Sequence, residues 1–155
     1  MSVDELLKLS QGLLTPVIGI ATTYIAYQQW KTNQNKLNLD RFERRLQVYK
    51  EVVRYISVAV RDASYGNGEL MTFRAKVSDA DFLFGEEVSK YIAELHRRTA
   101  KLAQWHNEYR DASQPQPESY DHQKVVDEMH KEQMWILEQY EPARNIFKKY
   151  LDISK

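Results

Sequence analysis

Four histidines are the first side chains to consider for chemistry, because imidazole serves both metal binding and proton transfer. His96 and His106 are ten residues apart, and His122 and His130 are eight apart. Neither pair has the i, i+4 spacing that turns two imidazoles toward one zinc ion on a helix, and no HExxH motif is present. The histidines therefore predict no metal site. The sequence neither predicts nor excludes a contact between His96 and Glu132 across a helical bundle.

The carboxylates are no better arranged. Asp127 and Glu128 are adjacent, so on a helix they point about 100° apart, which is poor geometry for an acid–base pair. Asp127-x-x-His130 is the nearest match to the Glu-x-x-His motif of di-iron bundles, and it occurs once. Phosphate-binding glycine loops, nucleophile elbows, kinase signatures and cysteines are absent. We predict no catalytic, metal or cofactor-binding residues, no cofactor, and a protein that is not an enzyme.

The elements that would position any site are helices. The 155 residues include 28% charged side chains, with only 5 glycines and 4 prolines. The β-branched residues lie on helical stripes and show no strand-like alternation. The predicted fold class is all-α, with an N-terminal transmembrane helix that continues into a cytoplasmic antiparallel helical bundle of three to four helices.

The stretch from Leu9 to Trp30 carries no charge and is flanked by Lys8 and Lys31. As a helix it is roughly 33 Å long, enough for a hydrocarbon core about 30 Å thick. We predict residues 1–8 as a short extracytoplasmic N-terminus, residues 9–30 as the membrane helix and residues 31–155 as the cytoplasmic bundle. A cleaved signal peptide is disfavoured, since acidic residues precede the segment and bulky ones end it. Burial of the segment in a soluble core is the remaining alternative.

Charge distribution predicts the orientation. The formal net charge is zero, yet residues 31–62 carry eight basic and four acidic side chains. Basic residues are retained on the cytoplasmic side, which favours a single-pass inner-membrane protein with its N-terminus outside. Residues 63–155 carry 13 basic and 16 acidic side chains, so we predict no nucleic-acid partner. Because no catalytic or binding motif is present, we also predict no small-molecule substrate.

Two groups of residues in and beside the predicted span indicate partners. Small residues at alternating spacings of 3 and 4 share one helix face, typical of close packing between membrane helices; this packing stripe is Gly12, Thr15, Gly19, Thr22 and Ala26. Aromatic and basic side chains at its end suit the membrane interface; these interfacial anchors are Tyr27, Trp30, Lys31 and Lys36. The predicted partners are membrane lipid and either a second copy of the chain or another membrane protein.

A second periodic row follows the span. Apolar residues recur with the 3, 4 spacing of a coiled coil over three heptads; this bundle seam is Leu39, Phe42, Leu46, Tyr49, Val53, Ile56 and Val60. A neighbouring row (Val48, Val52, Tyr55, Ala59) widens the apolar face, which favours a bundle core over a two-stranded coiled coil. Further along, Phe73 and the run Phe82-Leu83-Phe84 are predicted to be buried at one end of the bundle.

The run YIAYQQWKTNQNKLNLDRFERRLQVYKEV, from Tyr24 to Val52, resembles a widespread set of uncharacterised bacterial single-span membrane proteins. The shared signature is Tyr-x-x-Tyr-Gln-Gln-Trp, then Thr-Asn-x-x-Lys-Leu, then Phe-Glu-Arg-Arg-x-x-Val-Tyr. It stands here at Tyr24, Tyr27, Gln28, Gln29, Trp30, Thr32, Asn33, Lys36, Leu37, Phe42, Glu43, Arg44, Arg45, Val48 and Tyr49. The resemblance implies an anchor and a helical body, and implies no activity.

These observations favour a membrane-anchored helical scaffold that recruits a partner at the cytoplasmic face of a bacterial inner membrane. One alternative is an oligomeric, membrane-perturbing or channel-like effector assembled through the span. A second alternative is a soluble helical module with residues 9–30 buried in its core.

Overall fold

The computed structural model describes residues 3–62, 67–111 and 113–152, with side chains from Pro16 onward apart from residues 62 and 67. Six helices appear in chain order: α1 (Val3–Asp62), α2 (Asn67–Lys76), α3 (Ala80–Leu83), α4 (Glu86–Glu108), α5 (His122–Leu137) and α6 (Tyr140–Lys148). No strand occurs in the described ranges. The predictions of an all-α fold and of a helical bundle are confirmed.

The chain divides into two compact units, Met1–Arg41 and Phe42–Lys155. Each described side chain of the first unit, from Pro16 to Arg41, is exposed. Among the described residues, no helix is both long enough and hydrophobic enough to cross a membrane. The predicted transmembrane helix at 9–30 is thus not a feature that the structure supports.

The hydrophobic core lies wholly within the second unit. Helix α1 contributes Val48, Val52, Tyr55, Ile56 and Ala59, with Tyr55 and Ile56 fully buried. Helix α4 contributes a row spaced 4, 3, 4, 3, as expected for one face of a helix: Val88, Ile92, Leu95, Thr99 and Leu102. Helices α5 and α6 add Ile136, Ala143 and Phe147.

Aromatic contacts join the helices at two levels of this core. The rings of Tyr55 on α1 and Phe73 on α2 stack with centroids 3.7 Å apart. The ring of Phe84 meets that of Phe147 edge-on at 5.1 Å, a geometry that aligns the positive ring edge with the negative face. Phe73 and Phe84 are therefore buried as predicted, and Leu83 is half-buried. The prediction for Phe82 is wrong, because its side chain is 90% exposed on the short helix α3.

Candidate functional site

The exposed segment, which we define as residues 16–41 of α1, is the strongest candidate for an interaction site. It carries large apolar side chains that are all exposed: Val17, Ile18, Ile20, Tyr24, Ile25, Tyr27, Trp30, Leu37 and Leu39. Scattered single apolar residues are normal on a protein surface, but an extended apolar surface marks a site that another molecule covers. No charged side chain interrupts the series between Pro16 and Trp30.

The apolar residues are spread around the helix instead of being confined to one face. At about 100° per residue, Val17, Ile18, Ile20 and Ile25 span about 160° of the circumference. The rings of Tyr27 and Trp30 extend this sector to roughly two thirds of it. Gly19, Thr22 and Ala26 share the remaining third. A helix that lies flat on a membrane surface needs a strongly charged face, and this segment has none before Lys31.

Polar side chains in this segment are largely satisfied by the helix itself. The Thr22 hydroxyl donates to the carbonyls of Ile18 at 2.9 Å and Gly19 at 3.0 Å, and the Thr23 hydroxyl donates to Gly19 at 2.8 Å. The Gln28 amide donates to the Tyr24 hydroxyl at 2.9 Å. Such bonds lower the cost of moving these groups away from water, since an unsatisfied polar group is expensive in an apolar medium.

Interfacial anchors stand together at the end of this stretch. The rings of Tyr27 and Trp30 have centroids 6.2 Å apart and are tilted by 32°. Lys31 follows immediately, and Lys36 is five residues further. All four side chains are exposed.

The surroundings are described for three residues of the predicted packing stripe and not for the other two. Gly19, Thr22 and Ala26 are exposed, and a Cβ built on Gly19 would meet no other atom within 4 Å. The side chain of Thr15 and the surroundings of Gly12 lie outside the described part of the structure, which includes side chains only from Pro16 onward.

The predicted bundle seam is divided by the structure. Leu39 is 55% exposed and Ile56 is fully buried. The other five members are half-buried: Phe42, Leu46, Tyr49, Val53 and Val60. The deepest row of α1 is the neighbouring one at Val48, Val52, Tyr55 and Ala59, rotated by one residue, or about 100°.

Within the second unit, the most buried charge belongs to Glu132, which is 1% exposed. Arg98 Nη1 donates to its Oε1 at 3.2 Å and to its Oε2 at 3.0 Å, which joins α4 to α5. The guanidinium also lies over the Trp135 ring, 4.9 Å from its centroid. Glu132 thus pairs with Arg98, and the contact with His96 that the sequence left open is not formed. This arrangement gives the buried carboxylate a charged partner.

His96 instead lines a groove of about 490 Å³ between α2, α3 and α4. Phe73, Val77 and Ile92 line its apolar part, and Arg74 lies on its rim. Burial lowers the pKa of His96 and the Arg74 charge lowers it further, while a hydrogen bond to the Leu70 carbonyl opposes both. The groove thus holds an imidazole that favours its neutral form, but no carboxylate is bonded to it among the described residues.

Sequence reasoning missed a cluster built around Arg45. Its Nε donates to the Leu83 carbonyl at 2.9 Å and its Nη1 donates to the Tyr150 carbonyl at 3.3 Å. The Tyr150 hydroxyl accepts from the Gly85 amide at 3.1 Å and donates to Glu87 at 2.7 Å. One arginine therefore satisfies backbone carbonyls at the ends of α3 and α6, while Tyr150 satisfies an amide at the start of α4. The Phe-Glu-Arg-Arg run that contains Arg45 indicates nothing in the sequence about these distant partners.

No group of three or more metal-ligating side chains converges within the described ranges. Comparison with known protein families, characterised proteins and solved structures finds no match to this chain. The resemblance of the Tyr24–Val52 signature to bacterial single-span proteins stays a prediction.

Proposed function

We propose that this protein is a non-catalytic helical scaffold, anchored by residues 9–30 in a bacterial inner membrane, which recruits a partner through its cytoplasmic helical body. The carrying observation is the exposed segment: its stretch from Pro16 to Trp30 is uncharged, apolar around most of its circumference and internally hydrogen-bonded at its threonines. In water this surface is unfavourable by roughly 25 cal/mol for each Å² of apolar area. A lipid environment removes that cost.

The length of the anchor depends on residues on both sides of Pro16. Residues 16–30 alone form about 22 Å of helix, shorter than a hydrocarbon core of about 30 Å. The uncharged stretch begins at Leu9, and the full stretch reaches roughly 33 Å. Its basic exit supports a cytoplasmic location for the body of the chain. The exposure of residues 16–30 does not favour the alternative in which this segment packs in a soluble core.

Membrane extraction of the full chain tests the anchor. We expect the wild-type protein to remain in the membrane pellet after alkaline carbonate and to dissolve only in detergent. The variant Ile18→Asp/Ile20→Asp places two carboxylates near the middle of the span, at about 3 kcal/mol each, and should be released. The matched control is Leu37→Asp/Leu39→Asp, because these residues have the same spacing and are also exposed but lie beyond the span. Release of the wild-type protein by carbonate would contradict the anchor.

The recruiting role is supported by Phe82. An aromatic ring that is 90% exposed on a four-residue helix is a typical anchor for a binding partner. A photo-crosslinking residue placed at position 82 of the full chain should capture a defined protein in native membranes. The same residue at Lys90, which is also exposed, should not capture that protein. Equal capture at both positions would contradict a docking role for Phe82.

A further inference from the structure

We propose that Lys31 and Lys36 bind the phosphate groups of anionic lipids where α1 leaves the bilayer, each contacting its own lipid. This inference rests on the membrane anchor proposed above. Both ammonium groups are exposed, and within the described residues neither forms an ion pair or a hydrogen bond. Among the described residues, Lys76, Lys90 and Lys131 are paired with carboxylates, whereas Lys50, Lys101 and Lys124 have no such partner. Position at the helix exit therefore distinguishes Lys31 and Lys36, and the lack of a partner does not.

The local sequence leaves this charge uncompensated. No acidic residue occurs between Trp30 and Asp40, so the first turns after the span carry two positive charges and no negative one. The phosphate of an anionic headgroup is the complementary charge that lies closest to this position in a membrane. Lys is suited to such a contact, because its apolar stem extends along the helix while its ammonium reaches the headgroup.

The distance to the bilayer surface singles out these two residues. Tyr27 and Trp30 are the aromatic pair that marks the interface. Lys31 follows Trp30 directly, and Lys36 lies about 9 Å beyond Trp30 along the helix axis. That distance is within a Debye length of about 10 Å at 0.1 M salt. Arg41 is about 16 Å away, and it stands next to Asp40, which reduces its net effect.

The angle between the two lysines predicts the stoichiometry. Five residues correspond to about 140° around a helix, so the two ammonium groups point to different sides of α1. One headgroup cannot contact both at this separation. We therefore infer two independent lipid contacts at the helix exit.

The test is lipid selectivity around the full chain reconstituted in phosphatidylcholine vesicles that contain a minor fraction of phosphatidylglycerol. Spin-labelled phosphatidylglycerol and spin-labelled phosphatidylcholine report, by electron paramagnetic resonance, which lipid is immobilised at the protein. We expect a preference for the anionic lipid of roughly fivefold for each lysine near the surface, weakened by added salt. The variant Lys31→Gln/Lys36→Gln should lose this preference.

The matched control is Lys90→Gln/Lys131→Gln, which removes the same charge from the helical body and should keep the preference. Single variants Lys31→Gln and Lys36→Gln should each remove part of it, because the contacts are independent. Equal preference in the wild-type protein and the double variant would overturn the lipid contacts alone. Failure of the wild-type protein to insert into the vesicles would overturn the membrane anchor and this inference with it.

Discussion

Arg98 and Glu132 form an ion pair between α4 and α5 in which the two partners differ sharply in burial. The side chain of Glu132 is 2% exposed, whereas that of Arg98 is 24% exposed and is also paired with Glu94 at 3.0 Å. Removing either residue breaks the bonds between them, and removing Arg98 also breaks its pair with Glu94. The groups left behind differ, because Arg98 keeps a second partner and some water, while Glu132 keeps neither among the contacts described.

This asymmetry predicts unequal losses of stability. Arg98→Met keeps the packing over Trp135 but leaves a buried carboxylate unpaired, so we expect the free energy of unfolding to fall by about 3 kcal/mol. Glu132→Gln keeps one oxygen that accepts a hydrogen bond and leaves no buried charge at this position. We expect the free energy of unfolding to fall by about 1 kcal/mol. Urea denaturation followed by circular dichroism measures both. Lys90→Met, at an exposed pair with Glu86, is the control and should change little. Equal losses for the two core variants would contradict the asymmetry.

Position 85 favours glycine because a side chain there would collide with a neighbour, and not because of its backbone conformation. Its φ of −78° is open to any residue, but a Cβ at this position would lie 2.5 Å from the Tyr150 hydroxyl oxygen. We expect Gly85→Ala to cost about 2 kcal/mol through overpacking and Tyr150→Phe to cost about 1 kcal/mol through lost hydrogen bonds. Because the phenylalanine clears the clash, the double variant should cost less than the sum. Thermal unfolding of the four proteins measures this coupling, and strict additivity would disprove it.

Glu94 should contribute to stability only above strongly acidic pH. Hydrogen bonds from Arg97 lower the pKa of Glu94 to about 2, with a further contribution from Arg98, whereas burial opposes them. The folded-state pKa lies below the ordinary value of 4.5, so the stabilisation is fully present above pH 4.5 and is lost as the pH falls toward 2.

We therefore expect Glu94→Gln to flatten the decline of the melting temperature between about pH 4.5 and pH 2. Glu118→Gln, in the loop before α5, is the control and should leave the decline unchanged. Differential scanning calorimetry across this range gives the slope for each protein. A Glu94→Gln variant that declines as steeply as the wild type would show that this carboxylate is not linked to folding.

A substitution at Gly19 tests the packing stripe, and it should not disturb the helix itself. Since a Cβ at Gly19 meets nothing within 4 Å, Gly19→Leu should leave the helix content unchanged while blocking close approach of a second membrane helix. We expect a smaller particle in detergent, measured by light scattering after size-exclusion chromatography. Ala21→Leu, on the opposite side of the helix, is the control.

The same pair of variants addresses the alternative of a channel-like effector. If that alternative holds, Gly19→Leu should also abolish any release of dye from vesicles that the wild-type protein causes, and Ala21→Leu should not. An unchanged particle size for Gly19→Leu would remove the stripe as an association surface.

The sequence predicted the helices but not which residues the individual side chains contact. Periodicity placed an apolar face on the second half of α1, yet two adjacent rows were candidates for its centre. The row through Val48, Val52 and Tyr55 became the deepest, while Leu39 at the start of the predicted seam stayed exposed. When both rows are apolar, periodicity does not decide which one faces the core, because the two differ by a rotation of α1 of about 100°. That rotation depends on what packs opposite, here the ring of Phe73 on Tyr55.

Local chemistry in the sequence determined the all-α fold, because scarce glycine and proline and a 3.6-residue apolar period act over a few residues. It also determined the uncharged stretch from Leu9 to Trp30 and its basic exit, on which the proposed membrane role depends. Only the tertiary structure decided that Glu132 meets Arg98 and not His96, that Arg45 bonds the ends of α3 and α6, and that Phe82 points outward. These pairings join residues up to 105 positions apart, and they are decided by how whole helices pack, which no local pattern encodes.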